Sequence, residues 1–327
     1  QLIDFGEISA LTRLQLEKNQ LFIYLVAISL GLISGVMYPH LSSYVEVLVW
    51  PLLGLLLFST FTQVSLTHLR ETSFNPRFLI AAIVGNFLFI PVVVAGLLML
   101  APDDPAVRLG ILLVLLVPCT DWFITFTQLA GGDTRQAITF APISLLLQVI
   151  LLPFYLYVFL GNEFTVSLAH SEMLWVFIGL IVVPLILAWA TQKFAEQHPS
   201  GEQFINYLAW FPVTVLALVM FIIASSQVAI VLGSLALLPG LLLVFVLFLL
   251  IVALMARVLS RLLHLSSAQG RVLAFSFGTR NSFVMLPLAL ALPANYELAV
   301  VVIVFQSLVE LIGMMVFLWW VPKQLFP

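Results

Sequence analysis

The chain has 327 residues, of which 63% are hydrophobic and 8% are charged, and its mean hydropathy is +1.19. Soluble domains carry about 25% charged residues, so this composition excludes a water-soluble globule and a disordered chain. The net charge of −3 provides no basic surface for nucleic acid, and the single cysteine excludes a disulfide scaffold or a cysteine-rich metal site. The sequence therefore predicts an all-α protein embedded in a lipid bilayer.

Ten apolar stretches follow one another along the chain, each close to the roughly 20 residues that a helix needs to cross a bilayer. They lie at 21–38, 44–64, 77–100, 106–130, 137–160, 172–191, 205–226, 236–263, 270–292 and 297–321. Turn and charge signals such as PDDP at 102–105 and GGD at 131–133 separate them. Residues 1–20 are mostly polar and are predicted to be a cytoplasmic segment along the membrane surface.

The basic residues predict the orientation of these spans. Ten of the twelve fall on the side that would hold both termini of a ten-span protein: Arg13, Lys18, Arg70, Arg77, Arg135, Lys193, Arg257, Arg261, Arg271 and Lys323. Arg108 falls on the opposite side, and Arg280 lies inside a span. Because cytoplasmic loops carry the excess of lysine and arginine, we expect both termini in the cytoplasm and a multi-pass protein of the inner (plasma) membrane.

The two halves of the chain resemble each other at nearly one offset, about 160 residues. The matched positions are Gln63 with Gln227, Gly110 with Gly270, Pro118 with Gly278, and Gln148 with Glu310. A unit of five spans is odd-numbered, so its second copy must lie upside down in the membrane. The sequence therefore predicts two inverted five-helix repeats, 21–160 and 172–321, an architecture typical of secondary transporters.

Helix-breaking and polar residues interrupt the fourth and ninth spans at matching places. The fourth span contains PCTD at 118–121, and the ninth contains GTRNS at 278–282. Proline and glycine predict that both helices break inside the membrane, where half-helix ends form substrate and ion sites. The simplest interpretation pairs Asp121 with Arg280 across crossing breaks. That pair is either a structural bridge or part of the substrate or proton pathway.

Further polar residues lie within the spans. Glu310 is in the middle of the tenth span with no basic residue one helical turn away, so we expect an unpaired carboxyl. Such a group is a candidate proton carrier, and the alternative is a structural hydrogen bond to a neighbouring helix. Membrane helices often use amide side chains as interhelical contacts, which is the simpler interpretation of the remaining cases. These are Gln63, Asn86, Gln148, Gln227 and Gln306.

Cys119 has two interpretations. A lone cysteine in a membrane helix is usually a small hydrophobic residue. Next to the proline break and the charged pair it is equally a candidate ligand, because a thiolate is soft and suits a thiophilic metalloid. All five histidines fall in predicted loops or at span ends, and they indicate no metal site.

At these residues the sequence resembles the bile acid/sodium symporter superfamily, and within it the arsenical-resistance permeases. PCT at 118–120, followed by Gly132 and Asp133, looks like the fourth-span motif of that family, whose cysteine is required for arsenite efflux. Glu310 looks like its essential tenth-span glutamate, and 278–282 is similar to the ninth-span crossover. The resemblance implies ten spans in a panel and a core domain, crossing fourth and ninth helices, and arsenite or antimonite export in exchange for protons.

The resemblance also bears on the coupling ion. Bile acid symporters carry a glutamate and a glutamine that coordinate sodium where Ser276 and Arg280 stand here. A fixed guanidinium would repel a cation at that place. The sequence therefore favours protons over sodium as the coupling ion.

The leading hypothesis is a secondary transporter that exports a small metalloid species by proton antiport. It predicts substrate contacts at Cys119, Thr120, Arg280 and Asn281, and ion or proton coupling at Asp121, Gln148 and Glu310. No glycine-rich nucleotide loop is present, so we expect no cofactor and energy from an ion gradient.

Two rivals remain. One is a sodium- or proton-coupled organic anion symporter in which Arg280 binds a substrate carboxylate. The other is an intramembrane sensor or enzyme with Cys119 as nucleophile, which lacks a histidine base near mid-membrane. We therefore expect a transporter and no enzyme.

Overall fold

The computed structural model describes residues 15–16, 19–38, 47–64, 75–120, 122–168, 175 and 178–327. Most of the predicted N-terminal segment 1–20 lies outside this part of the chain, and so does Asp121. The described ranges consist of helices and the turns between them, with no β-strand. The described part of this membrane protein is thus all-helical.

Fourteen α-helices span the described ranges. In the first half they are α1 (Gln20–Met37), α2 (Val49–Gln63), α3 (Pro76–Leu98, with a π-helical turn at Gly85–Phe89), α4 (Pro105–Leu116), α5 (Trp122–Leu129) and α6 (Thr134–Leu168). In the second half they are α7 (Val183–Ala195), α8 (Pro199–Leu208), α9 (Phe211–Ser226), α10 (Val228–Gly233), α11 (Leu238–Leu262), α12 (Ser267–Gly278), α13 (Ser282–Leu290) and α14 (Leu298–Trp320).

Seven helical stretches in the described ranges are long and apolar enough to cross a bilayer. They are Gln20–Met37, Pro76–Leu98, Thr134–Phe159, Ile178–Ala195, Pro199–Ser226, Leu235–Leu262 and Ala294–Leu325. Of the other three predicted spans, 44–64 contains the shorter helix α2, and 106–130 and 270–292 are each divided in two. For the last two spans the difference has a physical cause, because an interrupted helix yields two pieces that are each too short to cross alone.

Local sequence sets the starts of the half-helices that lead to the breaks. Asp104 accepts the backbone N–H groups of Ala106 and Val107 at 2.8 and 3.0 Å, and Pro105 follows it, so α4 begins there. Ser266 and Gln269 cap α12 reciprocally. Both arrangements satisfy N–H groups that have no partner within the helix.

One compact unit comprises the described residues within 1–63 and 183–233. In it α1 packs closely on α9, because Gly31 and Gly35 leave room for the backbone at Phe221 and Ser225. A Cβ at either glycine would lie within 2.4 Å of a carbonyl oxygen of α9. The side-chain amide of Gln192 donates to backbone carbonyls near the end of α2.

The other unit comprises the described residues within 64–182 and 234–327, and it contains both interrupted helices. Its core is made of fully buried aliphatic and phenyl side chains from α4, α11, α12 and α14. Gly110 of α4 lies against Ala299 and Val302, which brings α4 close to α14. Each unit therefore combines helices from both halves of the chain.

Candidate substrate and ion site at the paired helix breaks

The two helix breaks lie against each other. Pro118 and Arg280 form an isolated antiparallel bridge. The N–H of Cys119 donates to the carbonyl of Thr279 over 3.2 Å, and the N–H of Asn281 donates to the carbonyl of Val117 over 2.8 Å. These bonds satisfy backbone groups that the breaks remove from the helices, as a low-dielectric interior requires. The prediction that both helices break and meet is observed.

Four helix ends converge at this bridge. The helices α4 and α12 end there and present carbonyl groups, whereas α5 and α13 begin there and present N–H groups. The rings of Trp122 and Phe283, in the first turns of α5 and α13, are 4.7 Å apart between centroids in an edge-to-face arrangement. Helix C-termini carry a partial negative charge and N-termini a partial positive one, so the bridge lies between two poles of opposite sign.

The guanidinium of Arg280 is bound by the carbonyl pole. Nη2 donates to the carbonyls of Ser276 and Phe277 at 2.9 and 2.8 Å, and Nη1 donates to the carbonyl of Leu115 at 3.3 Å. Its Cζ lies 5.5 Å from the centroid of the Phe248 ring, and the residue is 2% exposed. A buried charge inside a membrane protein costs about 2.5–3.5 kcal/mol on insertion scales, and these contacts offset that cost.

Asn86 connects α3 to the same guanidinium. Its Oδ1 accepts from Arg280 Nη2 at 2.9 Å, and its Nδ2 donates to Ser276 Oγ at 3.0 Å and to the carbonyl of Ala82 at 3.1 Å. Asn86 lies in the π-helical turn of α3, where an extra residue redirects the side chains. Gly85 makes the approach possible, because a Cβ there would lie 2.0 Å from Cζ of Phe277.

Glu310 is hydrogen-bonded, and the expectation of an unpaired carboxyl is wrong. Its Oε2 accepts the backbone N–H of Arg280 at 2.9 Å and the Gln306 amide at 2.7 Å. Gln306 in turn accepts the hydroxyl of Ser282 at 2.9 Å. These hydrogen bonds connect α14 to the break between α12 and α13, because the break frees the N–H of Arg280 from its helix.

Two buried side chains at the N–H pole carry polar atoms with no partner among the described residues. Asn281 is 2% exposed and its Oδ1 accepts the N–H of Val284, but its Nδ2 has no such partner. The hydroxyl of Thr120 is fully buried, and it likewise has no hydrogen-bond partner among the described residues. Unsatisfied buried polar groups are rare and call for an explanation, and a ligand is one.

The remaining predicted site residues divide as follows. Cys119 is buried at the bridge. Gln148 is buried in α6, and neither atom of its amide finds a partner among the described residues. The described part of the chain contains no group of three or more potential metal ligands. Asp121 lies outside the described residues, so its pairing with Arg280 stays a prediction.

An all-helical membrane protein in which interrupted helices meet and leave polar groups buried has the construction of a transporter. The profile of the sodium bile acid symporter family matches residues 50–234, more than half of the chain. The chain belongs to this family, and its members are transporters. No curated protein matches the chain significantly.

The sequence does not single out Asn86, Gln306 and Ser276 as site residues. Asparagine and glutamine are common in membrane helices, so Asn86 and Gln306 look like ordinary interhelical contacts. The π-helical turn of α3 and the register of α14 bring these two side chains to the helix breaks. The carbonyls of Leu115 and Phe277 carry no sequence signal, since every residue has one.

Proposed function

We propose that the chain is a secondary transporter of a small organic anion, which binds at the N–H pole formed by the starts of α5 and α13. One observation carries this assignment: the Nδ2 of Asn281 is buried without a partner among the described residues. Leaving a buried donor unsatisfied costs about 1–3 kcal/mol, and an acceptor oxygen of a substrate would recover it. The family description also refers to an organic anion, a bile acid.

Further features support an anion at this pole. Capping fixes Asn281 Oδ1 toward the N–H of Val284, so Nδ2 is the atom available to a ligand. The hydroxyl of Thr120 supplies a second donor. Helix N-termini favour negative charge, and here two of them begin close together. Asp121 precedes α5 in the sequence and disfavours a second negative charge there, so the anion contact falls mainly on α13.

For the coupling ion we propose roles for Asp121, Glu310 and Gln148, with a proton favoured over sodium. Glu310 contacts the backbone of Arg280, so a change in its protonation would be transmitted directly to the bridge. Gln148 supplies buried amide atoms that lack a partner in the described part of the chain. Cys119 and Thr120, like Asn281, stay candidate substrate contacts.

Flux into proteoliposomes tests the proposal. Purified protein is reconstituted, and uptake of a bile acid and of a series of smaller carboxylates is measured under a proton or a sodium gradient, with arsenite as the comparison. We expect saturable uptake of at least one carboxylate. The Asn281→Asp variant keeps the helix cap but replaces the donor by an acceptor, and it should lose this uptake. Asn75 also caps a helix, so Asn75→Asp, the same change at another cap, is the matched control.

Absence of uptake for every carboxylate, or unchanged uptake in Asn281→Asp, would overturn the proposal. Asn75→Asp should take up the carboxylate normally, because it makes the same change at a cap of another helix.

Metalloid export by proton antiport is the second candidate, and the position of Cys119 favours it. Cys119 lies at the bridge, and its backbone N–H forms one of the two hydrogen bonds that join the two breaks. Efflux of arsenite that requires a proton gradient and is lost in Cys119→Ser would favour this function. Carboxylate uptake that persists in Cys119→Ser would exclude a role for the thiol.

We also propose that the chain crosses the plasma membrane ten times as two inverted repeats, with both termini in the cytoplasm. The support is the pair of interrupted helices, α4–α5 and α12–α13, whose breaks occupy matched sequence positions. Reporter fusions at the two termini test the orientation, and a signal from the non-cytoplasmic side for either terminus would contradict it.

A further inference from the structure

The carbonyl ends of two helices are bound by one positive group of the protein itself. Leu115 lies in the last turn of α4, and Ser276 and Phe277 lie in the last turn of α12. The carbonyls of all three accept hydrogen bonds from the guanidinium of Arg280. The last carbonyls of a helix lack partners within it and carry a partial negative charge, which favours a cation.

In transporters built from interrupted helices, such C-terminal ends coordinate a mobile cation. The family description names sodium. The residues at this pole do not fit a sodium ion, because their oxygen atoms already contact the guanidinium. Asn86 supplies a further oxygen at 2.9 Å from Nη2, and it too is occupied. A second positive charge beside a buried guanidinium would be strongly repelled.

We propose that Arg280 is a tethered cation that permanently occupies the carbonyl pole, so that the paired helix ends need no cation from solution. The inference goes beyond the proposed function and holds for either candidate substrate. It assigns to Arg280 the role of holding α4 and α12 together, whereas the proposed substrate contacts lie at the opposite pole. Removing the side chain should leave a cage of oxygen atoms that a small cation can fill.

Thermal unfolding of the purified protein in detergent tests this inference without knowledge of the substrate. Unfolding temperatures are measured for the wild type and for Arg280→Ala in sodium chloride, in choline chloride at equal ionic strength, and with millimolar guanidinium chloride added. A ligand that binds only the folded state raises the unfolding temperature. We expect Arg280→Ala to unfold at a lower temperature and to regain several degrees with sodium or guanidinium but none with choline.

Two control variants separate cation binding at the emptied Arg280 site from general effects of salt and of a lost arginine. Arg280→Lys keeps the charge and should respond to sodium no more than the wild type. Arg271 also donates to backbone carbonyls, those of Ala130, Gly131 and Phe326, but away from the breaks. Arg271→Ala should therefore lose stability without any recovery in sodium.

A folded Arg280→Ala protein with no response to sodium or guanidinium would overturn the inference, as would an equal response in the wild type. If Arg280→Ala does not fold, Arg280→Gln is measured instead. Recovery of either variant only when a cation is present supports the inference. Failure of both with every cation, while Arg280→Lys folds, overturns it. The unfolding measurements do not depend on transport. A negative flux assay would therefore overturn the proposed function without affecting this inference.

Discussion

The carboxylate of Glu310 accepts the backbone N–H of Arg280 over 2.9 Å, a hydrogen bond that exists because the chain leaves its helical course between α12 and α13. In a continuous helix that N–H would be bonded to the carbonyl four residues earlier. The acidic residue of α14 is thereby attached to the backbone of the bridge, and the guanidinium of the same arginine binds the carbonyl pole. One residue thus links α14 to both interrupted helices.

Replacing Glu310 by glutamine tests whether its carboxyl carries the coupling proton. The amide oxygen can still accept the N–H of Arg280, so we expect the protein to fold. Proton-driven transport should fall at least tenfold, because an amide does not exchange a proton in this range. Flux and thermal unfolding are measured on the same preparation. Glu297→Gln, an exposed glutamate before α14, is the matched control and should transport normally.

Unaltered proton-driven flux in Glu310→Gln would show that the carboxyl is only a structural acceptor.

Asn86 is predicted to stabilise the break network. Asn86→Ala removes the acceptor of one Arg280 hydrogen bond and the donor to Ser276, leaving buried groups unsatisfied. Each such loss costs about 1–3 kcal/mol, so the unfolding temperature should drop by several degrees. Asn295 is exposed in the turn before α14, and Asn295→Ala should change neither stability nor flux. Equal stability of the two variants would remove Asn86 from the network.

Gly85 permits the close packing of α3 on α12. In Gly85→Ala the new methyl group would lie 2.0 Å from Cζ of Phe277, so helix or ring must move, at a cost of about 1–3 kcal/mol. Phe277→Leu in the same protein should restore part of that stability. Gly96 lies in the same helix with nothing within 4 Å of a new Cβ, so Gly96→Ala should be neutral or stabilising.

Thermal unfolding of the four proteins checks this prediction. A Gly85→Ala variant as stable as Gly96→Ala would mean that α3 and α12 do not approach this closely.

The breaks could be predicted from the sequence because Pro118 and Gly278 carry a local backbone signal. The carbonyl and amide contacts of Arg280 could not be predicted in the same way. A charge inside a span predicts an opposite charge as its partner, here Asp121, and that pairing stays a prediction. The helix-end carbonyls and Asn86 that bind the guanidinium carry no such signal. Carbonyl groups are the same at every position, so only the course of the backbone reveals where several of them converge.

Hydropathy likewise predicted spans without their interruptions. Spans 106–130 and 270–292 are apolar enough to be counted as whole, yet each consists of two helices. Hydropathy reports burial in hydrocarbon and is insensitive to a change of backbone direction. The sequence predicts an unpaired Glu310 because the two partners of its Oε2 carry no sequence signal. They are the backbone N–H of Arg280 and the side-chain amide of Gln306.

Gln148 provides a test that separates function from stability. Neither its Nε2 nor its Oε1 has a hydrogen-bond partner among the described residues, although the side chain is 3% exposed. Gln148→Leu therefore removes two unsatisfied polar atoms from a buried place, and we expect an unchanged or higher unfolding temperature. If the amide contacts an ion or a proton-carrying group during transport, flux should nevertheless fall at least tenfold.

The matched control is another buried glutamine, one whose side-chain amide is hydrogen-bonded within the protein. Gln192 donates to the carbonyls of Phe61 and Thr62, so Gln192→Leu should lower the unfolding temperature by several degrees. Flux per folded molecule and unfolding temperature are measured for both variants. A stable Gln148→Leu protein with wild-type flux would mean that the buried amide has no part in coupling. A Gln148→Leu protein destabilised as much as Gln192→Leu would mean that the amide is bonded within the protein.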